Sequence, residues 1–209
     1  MEVSFIRKTP NTQVVFSDIL ENSIGYIDIA EFSGSSVSDF EKAVKTITDE
    51  GANAVIIDIR DNPGGYISQA SEIADKFLSS GDIYYTLNRT NEKFVISADE
   101  KCDVSLPVVV LVNENTKGAA EVFAAALKDN GAATLVGTTT NGKGAVLTTM
   151  QIPNTGDGLR LVSAYYYTPN GEAINKIGVA PHEKVFMDEN LGDAQSDTQL
   201  QKAIEILSA

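Results

Sequence analysis

Two short runs of nearly uninterrupted branched aliphatic residues constrain this chain more than any other feature. They are Ala54-Val55-Ile56-Ile57-Asp58-Ile59 and Pro107-Val108-Val109-Val110-Leu111-Val112. A run this short and without polar alternation reads as a strand buried on both faces. Such strands belong to parallel sheets that helices cover on either side.

The rest of the chain supplies those layers. Ile24-Gly25-Tyr26-Ile27-Asp28-Ile29 alternates like a half-buried strand. A turn at 33–36 leads into a helix with Val37, Phe40, Val44 and Ile47 on one face, closed by Gly51. Residues 68–80 place Ala70, Ile73, Ala74, Phe77 and Leu78 on one helical face ahead of Gly81. A third helix over 118–130 carries Val122, Phe123, Ala126 and Leu127, and Thr134-Leu135-Val136 follows as a short strand. Residues 83–97 predict a hairpin turning at 88–91. From residue 145 the pattern becomes antiparallel, with strands over 145–152 and 159–167 joined through Gly156-Asp157-Gly158. Asn170-Gly171 marks another tight turn, and a last helix runs over 197–207. The expected class is α/β, repeated strand–helix units with right-handed crossovers and an added antiparallel β part. No linker, repeat or low-complexity run divides the chain, so residues 1–209 predict a single domain.

Charge and composition exclude several roles. Sixteen basic against 29 acidic residues give a net charge of −13, which repels phosphate backbones and anionic lipid; nucleic acid is not an expected partner. No apolar run reaches the roughly 18 residues a membrane helix needs, and the first residues lack the layout of a secretory signal. Cys102 and His182 are each the single residue of their type, so no internal disulfide is expected, and neither a metal nor a cofactor.

Three loops depart from plain packing chemistry. Arg60-Asp61-Asn62-Pro63-Gly64-Gly65 follows a buried strand, where open α/β sheets bind ligands, and its paired glycines let backbone N–H groups approach a ligand oxygen. Asp-Asn-Pro-Gly is equally ordinary turn chemistry. Asn113 to Glu121 has the same strand–loop–helix setting, suited to an oxyanion donor at a helix N-terminus. Its one hydroxyl, Thr116, is better explained by helix capping than by nucleophilic attack. Gly137-Thr138-Thr139-Thr140-Asn141-Gly142-Lys143-Gly144 nearly spells a phosphate loop. Gly144, however, stands where a Mg²⁺-binding hydroxyl belongs, and a strand follows where a helix is required. Lys143 between glycines reads either as a surface lysine in a turn or as a half-desolvated base of lowered pKa.

Taken in order and spacing, these segments resemble the C-terminal (tail-specific) processing proteases, serine peptidases of the Ser–Lys type. The resemblance runs from about Ile24 to the end of the chain. It includes Gly25-Tyr26-Ile27, the 60–65 loop and Leu111-Val112-Asn113-Glu114. It continues through Glu121 and its Ala-rich helix to Asp129-Asn130-Gly131, then Gly142-Lys143-Gly144, Tyr166-Tyr167-Thr168-Pro169-Asn170-Gly171 and Gly178-Val179-Ala180-Pro181. In that family a serine three residues before the glutamate attacks the peptide carbonyl, and a lysine 25 positions later is its general base. Glu121 sets the register, so Lys143 takes the base position and Gly118 the nucleophile position. The resemblance places oxyanion donors at the backbone of Ala119 and of Gly64 or Gly65. The glutamine that usually orients the lysine is here Leu147. It further implies polypeptide C-terminal tails as substrates, an extracytoplasmic location for the full-length protein, and a PDZ module and membrane anchor lying outside this chain, with residues 3–7 and 14–16 resembling the strands that follow that module.

Without a hydroxyl at 118, the resemblance implies an inactive or impaired peptidase, or a non-catalytic binder of peptides or apolar ligands. Two accounts of Gly118 stay open: a substitution introduced to trap an uncleaved state, or natural degeneracy, which the second departure at Leu147 favours. A crotonase-like acyl-CoA enzyme shares the strand–helix spiral, but the acidic chain offers no patch for nucleotide phosphates. A homo-oligomer is left open.

Overall fold

Alternation along the central strands decides which layer each side chain enters. The structure, a computed structural model, describes residues 13–99, 101–153, 155–187 and 197–208. Strands β2 (Ile24–Ile29), β3 (Ala54–Asp58), β6 (Val108–Val112) and β7 (Thr134–Gly137) lie side by side and parallel. An antiparallel β1 (Val15–Leu20) closes one edge and a two-residue β10 (Glu183–Lys184) the other, giving the order β1-β2-β3-β6-β7-β10. Val55, Ile57, Val108, Val110 and Leu135 pack into one apolar cluster with side chains of α1 (Ser36–Asp49), α2 (Ile67–Asp75) and α3 (Ala119–Asp129). Their neighbours Ile56, Val109, Leu111 and Val136 pack on the other face with Ala203 of α4 (Thr198–Leu207). Every residue of β3 and β6 is buried, as the aliphatic runs predict. Each such Val, Ile or Leu contributes roughly 1.5–3 kcal/mol.

A second sheet, wholly antiparallel, has the order β5-β4-β9-β8. It joins the hairpin of β4 (Asp82–Asn88) and β5 (Lys93–Ser97) to that of β8 (Ala145–Gln151) and β9 (Gly158–Tyr167). The seam is aromatic: Tyr85 stacks on Tyr167 with ring centroids 5.1 Å apart, and Tyr84 meets Tyr166 edge-on at 5.4 Å.

One expectation changes in detail and two elements need comment. The helix expected over 68–80 ends at Asp75, because Phe77 N–H donates to Ala74 O and Leu78 N–H to Asp75 O in tight turns; both side chains stay buried. The pattern at 14–16 is the start of β1, and the strand expected at 3–7 lies outside the described residues. The short β10 carries no sequence pattern of its own.

Candidate active site

The loops after β3 and β6 meet at the carboxyl ends of their strands and are sewn together by polar side chains. Asp61 N–H donates to Asn113 Oδ1 at 3.0 Å, and the amides of Asn113 and Asn115 donate back to Asp61 Oδ1 at 3.1 and 2.9 Å. Lys117 N–H donates to Asn62 O at 2.9 Å. Thr116, fully buried, donates its hydroxyl to Ile59 O at 2.8 Å and accepts from Asn113 N–H. Buried Asn62 donates to Ile29 O at 2.6 Å and accepts from Gly64 N–H at 2.8 Å. Gly65 lies so close to the backbone of Phe32 that a Cβ there would stand 2.2 Å from Phe32 O.

Gly118 is the N-cap of α3, at φ 59° and ψ −116°, a region that side-chain-bearing residues rarely occupy. Hydrolases that expose a serine on a strand-to-helix turn use strain of this kind. A Cβ built at 118 meets nothing nearer than 4.0 Å, so the obstacle to a side chain is strain and not space.

Beneath this turn lies Glu121, wholly buried. Its carboxylate accepts four hydrogen bonds: Gly118 N–H at 3.0 Å, Lys143 N–H at 2.7 Å, and Gly142 N–H and the Thr140 hydroxyl at 2.6 Å each. One side chain thus fixes the backbone of position 118 against that of position 143. Gly142 and Gly144 allow the same segment to lie against residues 174–177; a Cβ at Gly144 would come 2.3 Å from Asn175 N.

Gly65, Gly118, Ala119, Lys143, Leu147 and Arg160 line one cavity of about 200 Å³. Among the described residues the N–H groups of Gly65 and Ala119 make no hydrogen bond, so two donors from different loops stand unpaired in residues that line it. Tyr166 closes one side; burial, with Tyr84 nearby, pushes its phenol up to about 12, so it stays neutral.

Comparison with known proteins bears directly on this arrangement. The sequence profile of Peptidase family S41 matches residues 23–185. The chain belongs to that family. This S41 chain is 37% identical over 189 residues to a carboxyl-terminal-processing protease of Picosynechococcus sp., covering 88% of this chain and 45% of the relative. It is 35% identical over 190 residues to the carboxy-terminal processing protease CtpA of Bacillus subtilis, covering 90% and 41%. The solved photosystem II D1 C-terminal processing protease superposes with a TM-score of 0.79 at 28% identity, over 91% of this chain and 53% of that one. The S41 chain therefore spans under half the length of the curated relatives it matches.

Set against the sequence expectations, this site narrows two open alternatives and corrects one reading. Gly64 is not an open donor, because Asn62 takes its N–H; of the two glycines, Gly65 is the open one. Thr116 does not cap the helix, since it bridges the two loops from a buried position. Lys143 is exposed rather than half-desolvated, and among the described residues its amine has no hydrogen bond or ion pair. The glycines beside it serve close backbone approach to 174–177, and β8 follows where a phosphate loop would open a helix. Asn62, Thr140 and Arg160 had no predicted role. Asn62 and Thr140 sat in segments singled out by sequence, whereas Arg160 did not. Among the described residues no group of three metal-ligating side chains occurs, and His182 is occupied in pairing with both backbone groups of Leu135.

Proposed function

We propose that this chain is a C-terminal processing protease core that receives polypeptide tails in the Gly118 cavity and, as its sequence stands, holds them uncut. The convergence of Gly65, Gly118, Ala119 and Lys143 on one cavity, from three separate loops, carries this reading. The Gly65 and Ala119 N–H groups polarise a bound carbonyl, position 118 is the seat of the nucleophile, and Lys143 is the base. Attack by a serine requires both a hydroxyl and an amine to take its proton. Gly118 offers no hydroxyl, and Leu147 cannot orient the amine by hydrogen bonding. Donors alone accelerate hydrolysis by orders of magnitude less than the complete set. In this reading residues 1–209 act as one protease-core domain of a protein working outside the cytoplasm.

The test compares the wild-type chain, Gly118→Ser and Gly118→Ser/Leu147→Gln on denatured β-casein, with fragments identified by mass spectrometry. The wild-type chain is expected to leave the substrate intact and Gly118→Ser to cut slowly. The double variant should cut at least about tenfold faster, as an oriented base allows. Absence of cleavage by both variants, with peptide binding retained, would assign the cavity to binding alone.

A further inference from the structure

Among the described strands four stand at sheet edges, and they are guarded unequally. β1 carries Asp18, β10 carries Glu183 and Lys184, and β5 carries Lys93. Charges of this kind keep a free edge from pairing with another chain. β8 carries none, and no charged residue stands from Gly144 to Gly156 in a chain whose net charge is −13. Its backbone is also free to pair. Ile152 N–H donates to Asp157 O and Tyr166 N–H to Gly144 O, each at 2.8 Å, so the even-numbered residues of β8 face β9. The N–H and C=O groups of Leu147, Thr149 and Gln151 therefore point outward, and among the described residues no strand lies beyond them. From Leu147 to Gln151, and opposite them from Gly158 to Val162, every residue is exposed, whichever face of the hairpin it stands on. A two-stranded hairpin bare on both faces is marginal in water.

We propose that β8 is the contact between two copies of this chain, paired antiparallel across a two-fold axis through Thr149. The pairing goes beyond the tail-binding reading and holds whatever the Gly118 cavity receives. In this register Thr149 meets its own counterpart, Thr148 meets the partner's Met150, and Leu147 meets the partner's Gln151. The outward groups of these residues supply about six backbone hydrogen bonds. Threonines directly opposite one another pair favourably. A second copy fits because the match is made by one uncharged strand with itself, as a two-fold contact requires. At this edge no like charges face each other, although two chains this acidic repel elsewhere. The two four-stranded sheets become one of eight strands, with both faces left open and β5 at each outer end. Lys93 on those outer strands stops the array at two copies.

The full chain is sized by chromatography with light scattering at about 100 µM, where a micromolar contact is populated. The wild-type mass is expected at twice the 22.3 kDa of one chain. Thr149 does not line the Gly118 cavity, so substitutions there spare that site. Thr149→Lys sets two ammonium groups against each other on the axis, and Thr149→Pro removes an outward N–H while sparing the bonds to β9. Each variant should run at the mass of one chain with an unchanged circular dichroism spectrum. Thr149→Glu should do the same. An equimolar mixture of Thr149→Lys and Thr149→Glu should regain the doubled mass, because position 149 meets only its counterpart. A wild-type chain at single mass overturns the pairing. A doubled mass that survives Thr149→Lys or Thr149→Pro also overturns it and moves the contact to another surface. A mixture that stays at single mass overturns the two-fold register.

Discussion

The two sheets are covered very differently, and the cavity lies on the seam between them. In the parallel sheet β3 and β6 have no exposed residue, whereas the β8–β9 hairpin shows Met150 at 58%, Leu159 at 46% and Leu161 at 47% exposure. The backbone donors of Gly65 and Ala119 and the turn at Gly118 stand on loops of the covered sheet. Leu147 and Arg160 stand on the open one, and Lys143 leads into it. In the function proposed above, what polarises a carbonyl is backbone, held by buried pairing that fixes it from several sides. What activates or selects a ligand consists of side chains that can change at little structural cost. A core of this kind can lose its nucleophile and its orienting residue while keeping the pocket around them.

Breaking the tie beneath the pocket should have the largest effect. Glu121→Ala leaves three backbone N–H groups and the Thr140 hydroxyl without an acceptor in a buried site. Urea denaturation is expected to show a loss of about 3–5 kcal/mol. Glu121→Gln should cost nearly as much, because an amide turns a donor toward N–H groups that need an acceptor. A loss below about 1 kcal/mol for either variant would mean that the position is not fixed in this way.

A smaller effect is expected at the turn itself. Gly118→Ala adds a methyl group that meets nothing nearer than 4.0 Å yet must adopt φ 59°. Only backbone strain remains, about 1–3 kcal/mol by the same measurement. An alanine without cost would show that the turn relaxes, and that a serine could sit there unstrained.

Most of the architecture could be read from periodicity, because burial on one face or two leaves a pattern in the side chains themselves. The parallel strands, three helices and the 145–167 hairpin all carry such patterns. The site was legible in part. Glu121 set the register that brings Gly118 and Lys143 to one cavity, but its fourfold bonding depends on Gly142 and Thr140 folding over it. The choice between Gly64 and Gly65 turned on one amide oxygen of Asn62, and no local pattern encodes that. Arg160 reached the cavity through a β-bulge, which shifts register without a distinctive residue type. Of the two readings of Lys143 the exposed one holds, and its glycine neighbours serve backbone contact.

The smallest effect tests the contrast between the sheets most directly. Leu161→Ala removes a side chain that is 47% exposed, from a hairpin that none of the described helices packs against extensively. Part of its surface is already in water, and the neighbouring side chains can close over the gap. The expected loss is below about 1 kcal/mol, with the urea midpoint nearly unchanged. The same truncation at Leu111, fully buried between the two helical layers, sets the scale at about 2–5 kcal/mol. If Leu161→Ala approached the Leu111 value and light scattering changed with it, the open sheet would be covered in solution by another chain. Arg160 and Leu147 would then sit in a closed wall, and the freedom to vary inferred for that side of the cavity would disappear.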